Sequence, residues 1–300
     1  MRSTIVAVIV SYQPDSRLAR AVRSLARQVS QILVVDNASR GESQKILHDV
    51  HGAGVEILRQ PRNLGVGAAH NIGISAARAR GASHVLLMDQ DSVPQEDMVA
   101  NLLAAERQLL SLGVRLGAVG PAFYDPRLKK VWPFYRLSRF GVYGQPCAGD
   151  RLIACDFLIS SGMLVRLSVL DLVGAMNEDY FLEHVDTEWS LRARHHGYRL
   201  YGACSARMEH LLGDNAVRVP LTGQWVQLYK PERHYYLFRN AMLLWREPYA
   251  PRSWKRNELR RLMKRIIFLS LFVPPRLQRA RMMLLGLWHG RHGKTGQLRP

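Results

Sequence analysis

The chain has 300 residues, 47% of them hydrophobic and 8% aromatic, enough for one large α/β domain or one domain with an appendage and free of the bias that marks disordered or fibrous chains. Its formal net charge of +18 is uneven: from Pro251 onward there are 13 Lys/Arg and one acid, Glu258, whereas the first 250 residues hold 29 bases and 23 acids. Such a tail suits nucleic acid, anionic lipid or an acidic partner, while three cysteines without a CxxC pair argue against a disulfide framework or zinc ribbon and fit a reducing compartment.

In chain order, the six apolar residues Ile5 to Val10 are too few for a secretory signal and are predicted to form a buried first strand. Leu18, Val22, Leu25 and Val29 follow at helical spacing. Further short apolar runs at Ile32–Val35, Val55–Leu58, Val85–Met88 and Leu116–Val119 are predicted strands. Between the last two, Met98, Leu102, Ala105, Leu109 and Leu112 mark a helix, with Pro94 near its start. This alternation implies a parallel sheet covered on both faces, whose ligand sites lie at the carboxyl ends of the strands. Asp36 follows the second strand, and Asp89 and Asp91 follow the fourth.

Beyond residue 125 the pattern loosens. Trp132 to Pro146 is predicted to be a loop or hairpin, and Cys155–Ile159 and Met163–Val165 flank Ser160-Ser161-Gly162. A helix is predicted from Thr187 to His196, stopped by Gly197. In the tail, residues 259, 262, 263, 266, 269 and 273 are apolar on one helical face, with Arg260, Arg261, Lys264 and Arg265 on the other side. The longest apolar run there, Ile266 to Val273 broken by Ser270, is far short of the ~20 residues that span a bilayer. The expected division is a body over 1–250, with halves at 1–125 and 126–250, and a basic amphipathic helical tail over 251–300.

Asp89-Gln90-Asp91 is the central chemical signal. Two carboxylates two positions apart at a strand end can converge on one hard cation, which completes its shell with water and phosphate oxygens. An acidic turn is the plainer alternative. Asp36 can accept hydrogen bonds from a base or ribose, although Asp36-Asn37-Ala38-Ser39 also suits an Asx-turn or helix cap. Asn63-Leu64-Gly65-Val66-Gly67 opens the helix holding Asn71, where small residues permit close backbone approach and the helix terminus favours phosphate. Position 70 is His70, so this is not a dinucleotide GxGxxG. Gly290-Arg291-His292-Gly293-Lys294-Thr295 is not a phosphate loop, since Trp288 stands where its first glycine belongs.

Together, Val10-Ser11-Tyr12, Val35-Asp36-Asn37-Ala38-Ser39, Asn63-x-Gly65-x-x-x-Ala69-x-Asn71 and Asp89-Gln90-Asp91 resemble the inverting family 2 glycosyltransferases in order and spacing over about residues 4–125. The resemblance implies the GT-A fold, a mixed α/β sheet flanked by helices, here with a C-terminal basic helical extension. Asp89-Gln90-Asp91-Ser92 and Val185-Asp186-Thr187-Glu188-Trp189 look most like bacterial rhamnosyltransferases.

The implied nucleotide-sugar contacts are Ser11, Tyr12, Asp36, Asn63, Gly65, Asn71, Asp89 and Gln90. Gln13 stands where the family often has Asn. The implied ligands for Mg²⁺ or Mn²⁺ are Asp91, Asp89 and His210, the last from His210-x-x-Gly213. Asp186 matches the catalytic base, with Glu188 in reserve and Val185 in place of the usual first acid. Ser161, Gly162, Met163, Glu188, Trp189 and Arg239 are the implied acceptor contacts. The implied donor is dTDP-L-rhamnose, another UDP-, GDP- or dTDP-sugar being the alternative, and the implied acceptor a lipid-linked or lipopolysaccharide glycan. The tail is expected to lie on an anionic membrane at the cytoplasmic face. A nucleic-acid-binding protein is the alternative of another class. The balanced body carries no recognised nucleic-acid motif, and the tail's bases accompany an apolar stripe rather than stacking aromatics, so no nucleic-acid partner is expected. A nucleotidyltransferase would place a glycine-rich basic loop after the first strand, where Ser11-Tyr12-Gln13-Pro14-Asp15 stands.

Overall fold

The computed structural model describes residues 3–298 except 53, 212, 214 and 219–224. Strands and helices first alternate as the apolar runs require: β1 (Ile5–Ser11), α1 (Ser16–Leu25), β2 (Gln31–Asp36), α2 (Glu42–Val50), β3 (Val55–Arg59), α3 (Val66–Ala79) and β4 (His84–Asp89). β3, β2, β1 and β4 run parallel, with Ser11 opposite Asp36 and Val10 opposite Asp89. Successive residues point to opposite faces and both are buried. Val6, Val8, Leu33 and Leu87 join a core with α3, and Ala7, Ile9, Val34 and Met88 join a second one with α1 and α2. Double burial is why these strands are continuous apolar runs rather than alternating ones.

The short β5 (Val93–Pro94), α4 (Met98–Ser111) and β6 (Leu116–Asp125) come next. Here the sheet turns mixed, as the resemblance implies. β6 does not pair with β4, because β11 (Met163–Arg166) lies between them, antiparallel to both. Before it come β7 (Lys130–Val131), the hairpin β8 (Phe134–Leu137) and β9 (Val142–Gln145), and β10 (Leu152–Cys155). After it come α5 (Leu167–Val173), α6 (Val185–His195), stopped by Gly197 at φ 80°, and β12 (Arg199–Glu209). The sheet order is β10-β12-β6-β11-β4-β1-β2-β3. The cysteines also depart from expectation: Cys147 and Cys204 form a disulfide that joins the segment after β9 to β12, leaving Cys155 as a buried thiol.

A second hairpin, β13 (Asn215–Arg218) and β14 (Trp225–Leu228), precedes α7 (Pro231–Arg246), α8 (Arg252–Phe272) and α9 (Arg276–Arg291). The basic tail is thus two helices, built onto the body through α7. A Cβ added at Gly286 or Gly290 would stand 2.5 Å from the carbonyl of Tyr235 or Arg239, so these glycines let α9 lie directly on the α7 backbone. Leu262, Leu269 and Val273, with Ile266 beside them, share a core with Leu237, Phe238 and Met283. The expected apolar face of α8 is therefore split. Leu259 and Met263 face outward in one row with Ile267 and Leu271, each half or more exposed. No described helix is long and apolar enough to cross a membrane.

Candidate functional site

The carboxyl ends of β2, β1 and β4 bring Asp36, Ser11 and Asp89 side by side. Asp36 and Ser11 are buried. Asp36 accepts a 3.1 Å hydrogen bond from the Ser39 N–H three residues on, a local cap of the kind its sequence allowed, while the Ser11 hydroxyl is buried without a partner among the described residues. Tyr12 is half exposed at the edge of this shelf. Its N–H donates to Gln90 Oε1 at 2.8 Å, and the Gln90 amide returns a 3.1 Å bond to the Tyr12 carbonyl. Gln90 thus ties the loop after β4 to the loop after β1.

One ligand atom from each of Asp89, Asp91 and His210 lies within 4.8 Å of the other two. Residues 121 positions apart meet because β12 carries His210 back past β5 to the end of β4. A run of hydroxyls holds the group: the Asp89 N–H donates to Ser161 Oγ at 3.1 Å, Ser161 donates to Ser92 at 2.7 Å, and Ser92 Oγ lies 2.7 Å from His210 Nδ1. Burial pushes His210 down, favouring the neutral imidazole that can ligate a cation. Burial, then the charges of Asp91 and Asp186, push Asp89 up to about 7. Two carboxylates crowded beside a neutral imidazole form a donor set that suits Mg²⁺ or Mn²⁺. Arg17 lies 3.5 Å from Asp91. Sequence reasoning assigns Ser92 and Arg17 no role; for Ser92 the signal available is its place directly after the acidic pair.

Asp186 enters from the other half. It sits in the first turn of α6, taking hydrogen bonds from Thr187 N–H at 2.7 Å and Ser160 N–H at 3.3 Å. Burial raises its proton affinity, which suits a group that must accept a proton. The segment before it is strained, with Phe181, Glu183 and His184 at φ 59°, 46° and 63°. α7 holds this strain in place. The Asn240 amide donates to the carbonyls of Tyr180, Leu182 and Glu183 at 2.5–2.8 Å, and Arg239 donates to Tyr180 O at 2.9 Å and Asp179 O at 3.2 Å.

Several expected contacts are consequently placed elsewhere. Arg239 is fully buried as part of this clamp rather than open to a phosphate or acceptor. Glu188, the reserve base, is fully buried between Arg192 at 2.7 Å and the Tyr249 hydroxyl at 2.6 Å. Trp189 is buried with its indole N–H on Gly174 O, and Met163 is buried in β11. Asn71 spends its amide on Met176 and Glu178, 2.8–2.9 Å away, and Asn63 accepts from Gly65 N–H at 2.9 Å. Gly65, at φ 88°, passes so near Phe181 O that a Cβ would lie 2.4 Å from it. The Asn63–Asn71 motif thus docks α3 against the 176–181 segment. Gly162, at φ 81°, turns the chain beside Ser161. Leu212 of the His210 motif lies outside the described residues.

A cavity of about 650 Å³ opens beside Asp186, with Ser161, His184 and Thr187 in its wall. Trp132, Tyr135, Phe157 and Trp254 supply aromatic walls, and the first half of α8 closes one side.

Comparison with known proteins accords with this architecture. The profile of glycosyl transferase family 2 matches residues 6–158. The chain is similar to dTDP-rhamnosyl transferase RfbF of Shigella flexneri, 30% identical over 254 residues that cover 84% of this chain and 83% of the relative. It is 26% identical over 261 residues to galactofuranosyltransferase GlfT1 of Mycobacterium tuberculosis, covering 83% and 84%. Among solved structures, GalNAc-T7 with UDP, GalNAc and Mn²⁺ superposes with a TM-score of 0.60 at 14% identity, over 97% of this chain and 55% of that one. Residues 1–349 of S. aureus TarS in complex with UDP-GlcNAc give 0.57 at 15% identity, over 97% and 81%. These likenesses identify the fold as GT-A.

Proposed function

The chain belongs to glycosyl transferase family 2, and we propose that this glycosyltransferase moves L-rhamnose from dTDP-L-rhamnose, with inversion, to a lipid-linked or lipopolysaccharide glycan. The carrying observation is that Asp89, Asp91 and His210 converge near Asp186, and that Ser161 and Thr187 from the same neighbourhood line the cavity, the acceptor site in this reading. A Mg²⁺ or Mn²⁺ ion on Asp91, His210 and Asp89 would supply positive charge to the departing diphosphate. Asp36, Ser11 and Tyr12 border the space for the base and ribose. Asp186 takes the proton from the acceptor hydroxyl as it attacks the anomeric carbon opposite the diphosphate. The hydrogen bonds from Thr187 and Ser160 aim its carboxylate for that transfer.

The choice of rhamnose is supported by the 30% identity to a dTDP-rhamnosyl transferase over most of both chains. Peripheral attachment at the cytoplasmic face is supported by α8 and α9, where exposed apolar side chains stand among bases that an anionic leaflet attracts. The test is donor turnover across dTDP-, UDP- and GDP-sugars with and without Mn²⁺ or Mg²⁺. Metal-dependent turnover selective for dTDP-rhamnose supports the assignment. Selective use of another sugar removes rhamnose and keeps the enzyme class.

A further inference from the structure

We propose that the cavity beside Asp186 accepts a sugar joined to its lipid through a phosphate, and that Arg260 and Lys264 of α8 grip that phosphate. This rests on the acceptor reading of the cavity and adds the chemistry that selects the acceptor. At about 100° per residue, α8 presents three faces in succession. One, with Leu262, Ile266 and Leu269, packs on α7 and α9. The next carries Trp254, Asn257 and Glu258 into the cavity wall. The third is the exposed row Leu259, Met263, Ile267 and Leu271. Arg260 and Lys264 lie on the boundary between the second face and the third, lining the cavity yet adjoining the apolar row.

Their charges are available. Glu258, the acid in this wall, is occupied by Arg261 at 2.6 Å and His184 at 3.5 Å. Arg260 reaches the Phe140 carbonyl at 3.3 Å and no carboxylate, and Lys264 has no hydrogen bond or ion pair among the described residues. The cavity therefore offers aromatic walls suited to the face of a sugar ring, with two cations on the α8 boundary between that wall and an apolar ridge. A neutral glycan leaves the cations unused, and a free sugar phosphate leaves the ridge unused. A sugar, an anionic linkage and an alkyl chain in that order use all three. The cavity's volume of about 650 Å³ lies within the range of about 300–1,000 Å³ usual for small-ligand sites.

The test uses the full chain in EDTA without nucleotide, so that the carboxylate cluster holds no cation and takes no phosphate through one. Decyl phosphate and decyl glucoside, both kept monomeric, and inorganic phosphate are titrated by calorimetry. Decyl phosphate is expected to bind at least about tenfold tighter than either of the others, a margin that one or two charge-assisted bonds supply. Arg260→Gln with Lys264→Gln is expected to erase the preference over decyl glucoside while leaving Mn²⁺-dependent dTDP binding unchanged, which shows that the variant is folded. Equal binding of decyl phosphate and decyl glucoside, or a preference untouched by the double variant, overturns the phosphate grip. Inorganic phosphate binding as tightly as decyl phosphate overturns the lipid linkage. Because no donor is present, these outcomes are independent of whether dTDP-rhamnose is turned over.

Discussion

Asp89 shows how burial and charge crowding set the site's needs. Its carboxyl is pushed up to about 7 from an ordinary 3.8, by burial first and then by Asp91 and Asp186. A folded-state value above the unfolded one means that Asp89's own contribution to the stability of the metal-free protein is fully present below about pH 4 and is lost as pH rises through 7. Asp89→Asn is therefore expected to raise the metal-free melting temperature by several degrees at pH 8 and to change it little at pH 4, read by calorimetry; a lower value at pH 8 would contradict the crowding. Asn240 works at a distance, through three carbonyls of the strained segment that ends at Asp186. Asn240→Ala is expected to cost about 2–4 kcal/mol and to lower kcat while dTDP affinity is kept. Unchanged turnover would show that the clamp does not position Asp186. The difference between these residues explains what was legible. Asp89, Asp91 and His210 stand in spaced motifs whose chemistry demands acids and an imidazole. Arg239, Glu188 and Asn71 stand in motifs too, but a motif carries no depth, and these polar groups are used inside the fold.

At the scale of elements, the parallel strands were legible because burial on two faces leaves an uninterrupted apolar run. β11 was not placed from sequence, since four residues give no hint that they would enter between β4 and β6. For α8 the expected stripe was too broad. Leu262 is buried against α7 and α9, while Leu259, three positions earlier, is half exposed. Leu262→Ala is expected to cost about 2–4 kcal/mol in denaturant unfolding, and Leu259→Ala less than about 0.5 kcal/mol. Equal costs would mean that the outward row is itself packed. Gly286 and Gly290 explain the placement of α9 through direct backbone contact, a use that glycine spacing alone did not disclose.

Across the whole molecule, the charge asymmetry was visible at once, and the structure gives it a shape: two basic helices fixed to the body, with apolar side chains left outward. Binding to vesicles containing anionic lipid is expected to weaken as salt rises from about 0.1 to 1 M, where the Debye length falls from about 10 to 3 Å. Replacing Leu259, Met263 and Ile267 with Gln should abolish binding while dTDP affinity persists; vesicle binding unaffected by both changes would remove the membrane surface from the account. The Cys147–Cys204 pairing spans 57 residues of sequence, and no local spacing signals it. The most direct measurement is Mn²⁺ binding by electron paramagnetic resonance, with and without dTDP, in the native chain and in Asp91→Ala. One ion per chain, bound tightly when dTDP is present and lost in the variant, is the expected result. Mn²⁺ binding that ignores both dTDP and Asp91 would contradict a diphosphate-holding site at the end of β4.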